Sequence, residues 1–315
     1  MSEPYVRPDV RAFLDYYNRL PGPRAHEAGP DEARAMILAA RHVSDAETGP
    51  LAVIRDLACP GPGGEIGLRL YDAREARKAG PLLLFFHGGG FVFGDLDTHE
   101  PFCAEAARRL DLPVLAVDYR LAPEHPFPAG AEDCIAAARW AADSPEALGR
   151  EVTGLVTAGD TAGGNFAIVV GLALRDAPAA VPVTAQWPIY PAADPAKGYP
   201  SYEDFAEGWF LSRDGIRWFD GCYRPDKADW RYSPLLKSQA GMPPTLVQTA
   251  GLDPIRDQGR AYAAACATAG VPVVFLEAKG NIHGFINLRR AIPSSQGDID
   301  AGVAALKLIL REVRP

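Results

Sequence analysis

The chain has 315 residues, 48% hydrophobic and 23% charged, a globular composition long enough for one large domain or two. Its formal charge of −8 argues against nucleic acid or an anionic membrane surface as a partner. The longest apolar run, within 166–174, is too short to span a bilayer, and residues 1–24 lack the apolar stretch of a secretory signal.

Helical periodicity opens the chain over Pro8–Leu20 and Pro30–Val43, each with proline and an acidic residue at its start, separated by Pro21-Gly22-Pro23. From Leu51 the pattern turns to strands, Val53–Leu57 and Ile66–Tyr71, joined by a Gly-Pro-Gly-Gly turn at 61–64. Continuous apolar runs follow at Leu82–Phe86, Val114–Val117, Leu155–Ala158, Val183–Trp187, Leu246–Thr249 and Val273–Leu276, as expected of strands covered on both faces. Helical patterns alternate with them at Glu100–Leu110, Ala129–Ala142, Ala162–Arg175, Asp257–Ala269 and Asp298–Val313. The fold class is therefore α/β, a mostly parallel, doubly wound sheet of eight strands in a single domain spanning 1–315. The aromatic and proline-rich interval between Trp187 and Leu246 breaks the alternation and is too long to be structureless. It reads as a helical cap, residues 190–238 together with 1–48, over the carboxyl ends of the strands. A partner-binding insertion is the alternative reading. The five cysteines, Cys59, Cys103, Cys134, Cys222 and Cys266, form no CxxC pair and read as free, mostly buried thiols in a reducing cytoplasm.

Chemistry concentrates at three strand ends. Gly159-Asp160-Thr161-Ala162-Gly163-Gly164-Asn165 follows an apolar strand and opens a helix, the pattern of a sharp strand–turn–helix elbow with a hydroxyl at its apex. Small neighbours are needed there because the apex backbone is strained and packs against adjacent strands. After Leu82–Phe86 comes His87-Gly88-Gly89-Gly90-Phe91, where consecutive glycines can turn backbone N–H groups towards a substrate oxygen. Asp253 and His283 stand just past later strands, in the order nucleophile, acid, histidine that an acyl-transfer site on this architecture requires. His283 reads as general base and acid, and Asp253 as the group orienting its imidazole. Asp257, the competing carboxylate, reads as a helix-start residue. His26, His87, His99 and His125 form no HExxH or comparable cluster, so no zinc site is expected, and no GxGxxG or Walker loop is present.

Taken together, His87-Gly-Gly-Gly, Asp118-Tyr-Arg-Leu-Ala-Pro-Glu-His-Pro-Phe-Pro-Ala129, the Gly159–Asn165 elbow, Asp253-Pro-Ile-Arg-Asp257 and His283-Gly-Phe285 resemble the hormone-sensitive-lipase family of α/β-hydrolases, the bacterial family IV esterases. The resemblance covers essentially the whole chain. It implies a cofactor-free carboxylesterase acting on small-molecule esters of short to medium acyl chains. It also implies an oxyanion hole from the N–H groups of Gly89, Gly90 and Ala162, with Gly88 shaping the loop. Glu124 and the Arg120 region would brace the turn beneath the site. A homodimer paired through the last strand and helix is a further implication. Phe91, Phe93, Tyr190, Trp209, Phe210 and Phe285 are candidate substrate-pocket linings.

The departure is at the apex, where the family has serine and this chain has Thr161. Threonine keeps the hydroxyl but adds a methyl that costs on the order of 1–3 kcal/mol in strained backbone and restricts χ1. Three readings follow: a serine replaced to slow the reaction, a native threonine nucleophile in a pocket that admits the methyl, and a protein that binds ester-like small molecules without turnover.

Overall fold

A computed structural model describes residues 3–312. Its sheet has eight strands in the order β1-β2-β4-β3-β5-β6-β7-β8. They are β1 (Val53–Gly61), β2 (Gly64–Asp72), β3 (Gly80–Phe86), β4 (Val114–Asp118), β5 (Val152–Asp160), β6 (Val183–Ile189), β7 (Thr245–Leu252) and β8 (Val273–Ile282). The first two form an antiparallel hairpin closed where Gly61 faces Gly64, and β2 pairs antiparallel with β4. From β4 to β8 all pairings are parallel, so every strand from β3 onward ends at the same edge.

The helices are α1 (Pro8–Tyr17), α2 (Pro30–Ser44), α3 (Glu100–Leu110), α4 (Ala129–Ala142), α5 (Ala162–Asp176), α6 (Pro200–Asp204), α7 (Arg213–Tyr223), α8 (Arg256–Thr268) and α9 (Ser295–Glu312). The helical pattern read to Val313 is described as far as Glu312; Val313, Arg314 and Pro315 lie outside the described residues, as do Met1 and Ser2. Two-residue alternation along the central strands divides the core. Leu82, Leu84 and Phe86 face α4 and α5, while Leu83 and Phe85 face α3 and α9. Both faces of these strands are thus covered, which is why their sequences are continuously apolar.

Helices α1, α2, α6 and α7 stand outside the strand–helix alternation. The end of α2 is tied to the segment that follows β8. Arg289 Nε lies 2.7 Å from Asp45 Oδ1 and its Nη2 lies 2.9 Å from Oδ2, with both residues buried. A buried charge pair of this kind is costly to break, because removing one partner strands the other charge. Arg7 likewise pins the start of the chain to α9 through Asp298, at 2.7 Å. Four of the five cysteines are buried and Cys222 is half-buried; all are free thiols.

Candidate active site

Thr161 is the hinge between β5 and α5. Its backbone sits at φ 50° and ψ −109°, a region that non-glycine residues rarely occupy. The crowding around it explains the glycines. A Cβ on Gly163 would overlap the Phe86 carbonyl, and one on Gly159 would overlap the Gly163 carbonyl. Although Thr161 is the first residue of the helix turn, its hydroxyl does not cap α5. The side chain is half-buried and faces the cavity described below.

The loop after β3 is held peptide by peptide. Tyr119 donates from its hydroxyl to the His87 carbonyl at 2.7 Å, and Gly88 N–H donates to Asp160 Oδ1 at 2.7 Å. His87 Nδ1 lies 2.8 Å from the Gly88 carbonyl oxygen. The Gly89 carbonyl accepts from both Val92 and Phe93 N–H at 3.0 Å. In a trans peptide the C=O and the following N–H point opposite ways. Anchoring the Gly88 and Gly89 carbonyls therefore turns the Gly89 and Gly90 N–H groups to the other side, and neither has a partner among the described residues. Gly89 and Gly90 hold φ of 116° and 60°, which glycine adopts freely. The first N–H groups of α5, beginning with Ala162, are also without intrahelical acceptors and lie at the positive end of the helix.

Burial pushes the His87 imidazole down to about 4, with His99 adding to the effect, so it is neutral near pH 7. Its ring stacks on Tyr119 with centroids 4.2 Å apart. Asp160 is buried and accepts from Gly88 N–H and from the Tyr190 hydroxyl, 3.4 Å from Oδ2, while His99 Nε2 stands 3.2 Å from Oδ1.

Asp253 follows β7 and His283 follows β8, so the parallel sheet delivers both to the elbow's edge. His283 Nδ1 is 2.7 Å from Asp253 Oδ2, and the other oxygen accepts the Ile255 N–H at 2.8 Å. Asp253 is fully buried and His283 nearly so. With Nδ1 protonated towards the carboxylate, Nε2 is left as a base. Asp257 lies in the first turn of α8, 2.8 Å from Arg256 Nε, and accepts from Ser201 N–H at 3.0 Å.

Thr161, Ala162, Gly88, Gly89, Gly90 and His283 line one cavity of about 1320 Å³, above the roughly 300–1,000 Å³ usual for small-molecule sites. Phe91, Phe93 and Phe210 line it too. Tyr190, Trp209 and Phe285, read from their sequence positions as pocket lining, are not among its lining residues. Tyr190 is buried behind His283, with ring centroids 4.6 Å apart, and Phe285 packs edge-on against Tyr190 at 5.1 Å. Trp209, half-buried, packs edge-on against Phe205 at 5.5 Å, beside a small core beneath α1 that Phe210 also touches.

Several contributors escaped the sequence. Phe219 of α7 lies so close over Gly90 that a Cβ there would overlap its ring. Arg34 of α2 reaches the loop and the turn beneath it. Its Nε donates to the Val92 carbonyl at 2.9 Å, and its Nη2 donates to the Ala122 carbonyl at 2.9 Å and to Glu124 at 2.7 Å. That contact lowers the Glu124 carboxyl to about 2. An Arg in the second turn of a 15-residue helix carries no local signal of this reach. Among the described residues no group of three or more His, Cys, Asp or Glu could hold a metal ion, and no helix is long and apolar enough to cross a membrane.

The edge at which an apex hydroxyl, a buried Asp–His pair and outward-turned N–H groups meet is the ligand edge of an open α/β sheet. The profile of the alpha/beta hydrolase fold matches residues 83–287. Among curated proteins the chain is 39% identical over 285 residues to the carboxylic ester hydrolase LipN of Mycobacterium tuberculosis, covering 87% of this chain and 75% of that one. It is 33% identical over 316 residues to an ethyl acetate hydrolase of Pseudomonas putida, covering 96% and 98%. Among solved structures, the ester hydrolase EH1AB1 from the metagenome of Lake Arreo, complexed with a bipyridine phosphonate derivative, superposes with a TM-score of 0.90. It is 37% identical, with 96% of this chain and 98% of that one covered. The chain belongs to the alpha/beta-hydrolase-fold family and, within it, to the carboxylic ester hydrolases of the hormone-sensitive-lipase type.

Proposed function

We propose that this chain hydrolyses carboxylic esters of short to medium acyl chains through an acyl-enzyme on Thr161. The observation that carries the reading is the 2.7 Å Asp253–His283 pair opening onto the same cavity as the Thr161 side chain. Thr161 Oγ attacks the ester carbonyl carbon while His283 Nε2 takes the hydroxyl proton. Negative charge builds on the carbonyl oxygen, where the N–H groups of Gly89, Gly90 and Ala162 receive it. As the tetrahedral species collapses, the alkoxide leaves with the proton from His283. Water then attacks the acyl carbon, again deprotonated by His283, and releases the acid and the free hydroxyl. Asp253 keeps the proton on Nδ1 and stabilises the imidazolium.

Residues 3–48 and 190–238 act in this proposal as a cap, since both segments contribute cavity walls through α1, α2, α7 and Phe210. A homodimer through β8 and α9 belongs to the same reading: β8 is an edge strand, and Phe275 and Leu308 stand exposed there. Light scattering coupled to size exclusion tests it, and a monomer at micromolar concentration removes it.

Hydrolysis of p-nitrophenyl esters of graded acyl length by the chain, by Thr161→Ser and by Thr161→Ala tests the mechanism. Turnover that peaks at short or medium acyl chains and vanishes in the alanine variant supports it. Saturable ester binding without turnover in any of the three forms replaces it with a binding protein on the same scaffold.

A further inference from the structure

We propose that Phe13, Tyr17 and Phe210 form a subsite for the alcohol half of the ester, selecting an aromatic ring over a saturated one of the same size. This deepens the hydrolase reading and rests on it.

The three rings make a box open to the cavity. Phe13 and Tyr17 are one helical turn apart on α1, so their side chains share a face. Their rings stack at 5.8 Å with an interplanar angle of 16°. Phe210 meets both edge-on, at 5.7 Å and 63° to Phe13 and at 5.0 Å and 64° to Tyr17. All three line the cavity and all are half-buried, so part of each ring stays accessible to a ligand. Arg24, which also lines the cavity, holds Tyr17 in place: its guanidinium lies 4.5 Å from the Tyr17 ring centroid, and its Nη1 donates to the Tyr17 carbonyl at 2.8 Å.

The backbone under Phe210 is strained in order to aim the ring. Its φ is 75°, and Leu211 N–H donates to the Trp209 carbonyl at 3.0 Å. A three-residue turn of that hand is rare and strained, the more so with a bulky residue at its centre. Both rings are half-buried against the small core beneath α1, but after the turn only Phe210 also lines the cavity. Strain of this sort persists where the surrounding structure enforces it, and it clusters at ligand sites.

The position of the ring decides which half of the ester it meets. Gly284 directly follows His283, and a Cβ on Gly284 would stand 3.2 Å from Phe210 Cε1. Phe210 therefore lies on the histidine side of the site. The leaving oxygen must take its proton from His283 Nε2, so the alcohol departs on that side. The carbonyl oxygen lies away from it, against Gly89 and Gly90. An aromatic ring on the alcohol would add a fourth member to an edge-to-face set, a gain that a saturated ring of equal bulk lacks.

The test is kcat/KM for benzyl acetate against cyclohexylmethyl acetate, with methyl acetate to establish turnover, in the chain and in Phe210→Leu and Phe210→Tyr. Benzyl alcohol is a slightly better leaving group than cyclohexylmethanol, a difference common to all forms, so the change of the ratio between the chain and Phe210→Leu isolates recognition. We expect benzyl acetate to be favoured about tenfold, the ratio to fall towards one in Phe210→Leu, and Phe210→Tyr to keep it. A ratio near one in the parent chain, or one unchanged by Phe210→Leu, overturns the subsite. If methyl acetate is turned over neither by the chain nor by Thr161→Ser, the hydrolase reading falls instead. Titration with benzyl alcohol and with cyclohexylmethanol, followed by calorimetry, then decides the subsite alone: tighter benzyl alcohol binding, lost in Phe210→Leu, sustains it, and equal affinity ends it.

Discussion

The methyl group of Thr161 is packed against Gly88, so closely that a Cβ on Gly88 would overlap Thr161 Cγ2. The apex side chain thus wedges its extra carbon against the loop that carries the outward-turned N–H groups. That wedge restricts χ1 and with it the direction of Oγ.

Removing the methyl frees the hydroxyl to rotate towards His283. Thr161→Ser is expected to raise kcat/KM for p-nitrophenyl acetate by about tenfold or more, because angstrom-scale misplacement of a nucleophile costs up to about a hundredfold. Equal rates in the two forms would mean that the site is fitted to threonine. Gly88→Ala, which adds a carbon on the other side of the same contact, is expected to abolish activity and lower Tm.

Asp253 is fully buried and spends one oxygen on His283 and the other on Ile255 N–H. Asp253→Asn preserves the shape but can present an N–H to Nδ1, which favours the wrong tautomer. A loss in kcat on the order of 10⁴-fold is expected, with little change in KM. A loss below tenfold in steady-state assays would remove Asp253 from its proposed role.

Arg34 holds the loop from α2 through the Val92 and Ala122 carbonyls, while its ion pair with Glu124 is half-exposed and contributes little by itself. Lysine keeps the charge but lacks the fork that reaches three acceptors. Arg34→Lys is expected to lower kcat about tenfold by loosening the loop, whereas Glu124→Gln lowers it less. Equal effects of the two variants would show that the ion pair, not the carbonyl contacts, does the positioning.

Burial holds the folded His87 at about 4, below the value near 6.5 of an exposed histidine. As pH falls below about 6.5 the unfolded chain binds a proton that the folded chain refuses until about 4, so stability declines across that window and then levels. Above pH 6.5 this contribution is constant. His87→Asn, which can still donate to the Gly88 carbonyl, removes the slope. Its Tm is expected to fall by a few degrees less than the parent's between pH 7 and pH 4.5, and parallel curves would contradict the assignment.

Much of this was legible because local constraints are printed in the chain. A strand that turns at once into a helix demands small residues around the apex, and the overlaps at Gly159 and Gly163 show why. Continuously apolar runs announce strands covered on both faces, and parallel strands necessarily bring Asp253 and His283 to one edge. The cavity walls were legible only in part: Phe91, Phe93 and Phe210 line the cavity, and Tyr190, Trp209 and Phe285 do not. Trp209 and Phe210 are neighbours of similar chemistry and both pack half-buried against one small core, yet with φ 75° at Phe210 only the second also lines the cavity. Tyr190 and Phe285 stand beside site residues in sequence but fill the space behind His283. Arg34 acts on carbonyls 58 and 88 positions away. Elements and chemistry follow from short-range sterics and periodicity, which a sequence states directly; which side chain faces the substrate depends on how α1, α2 and α7 pack over the sheet, a balance of long-range contacts that only the folded chain resolves.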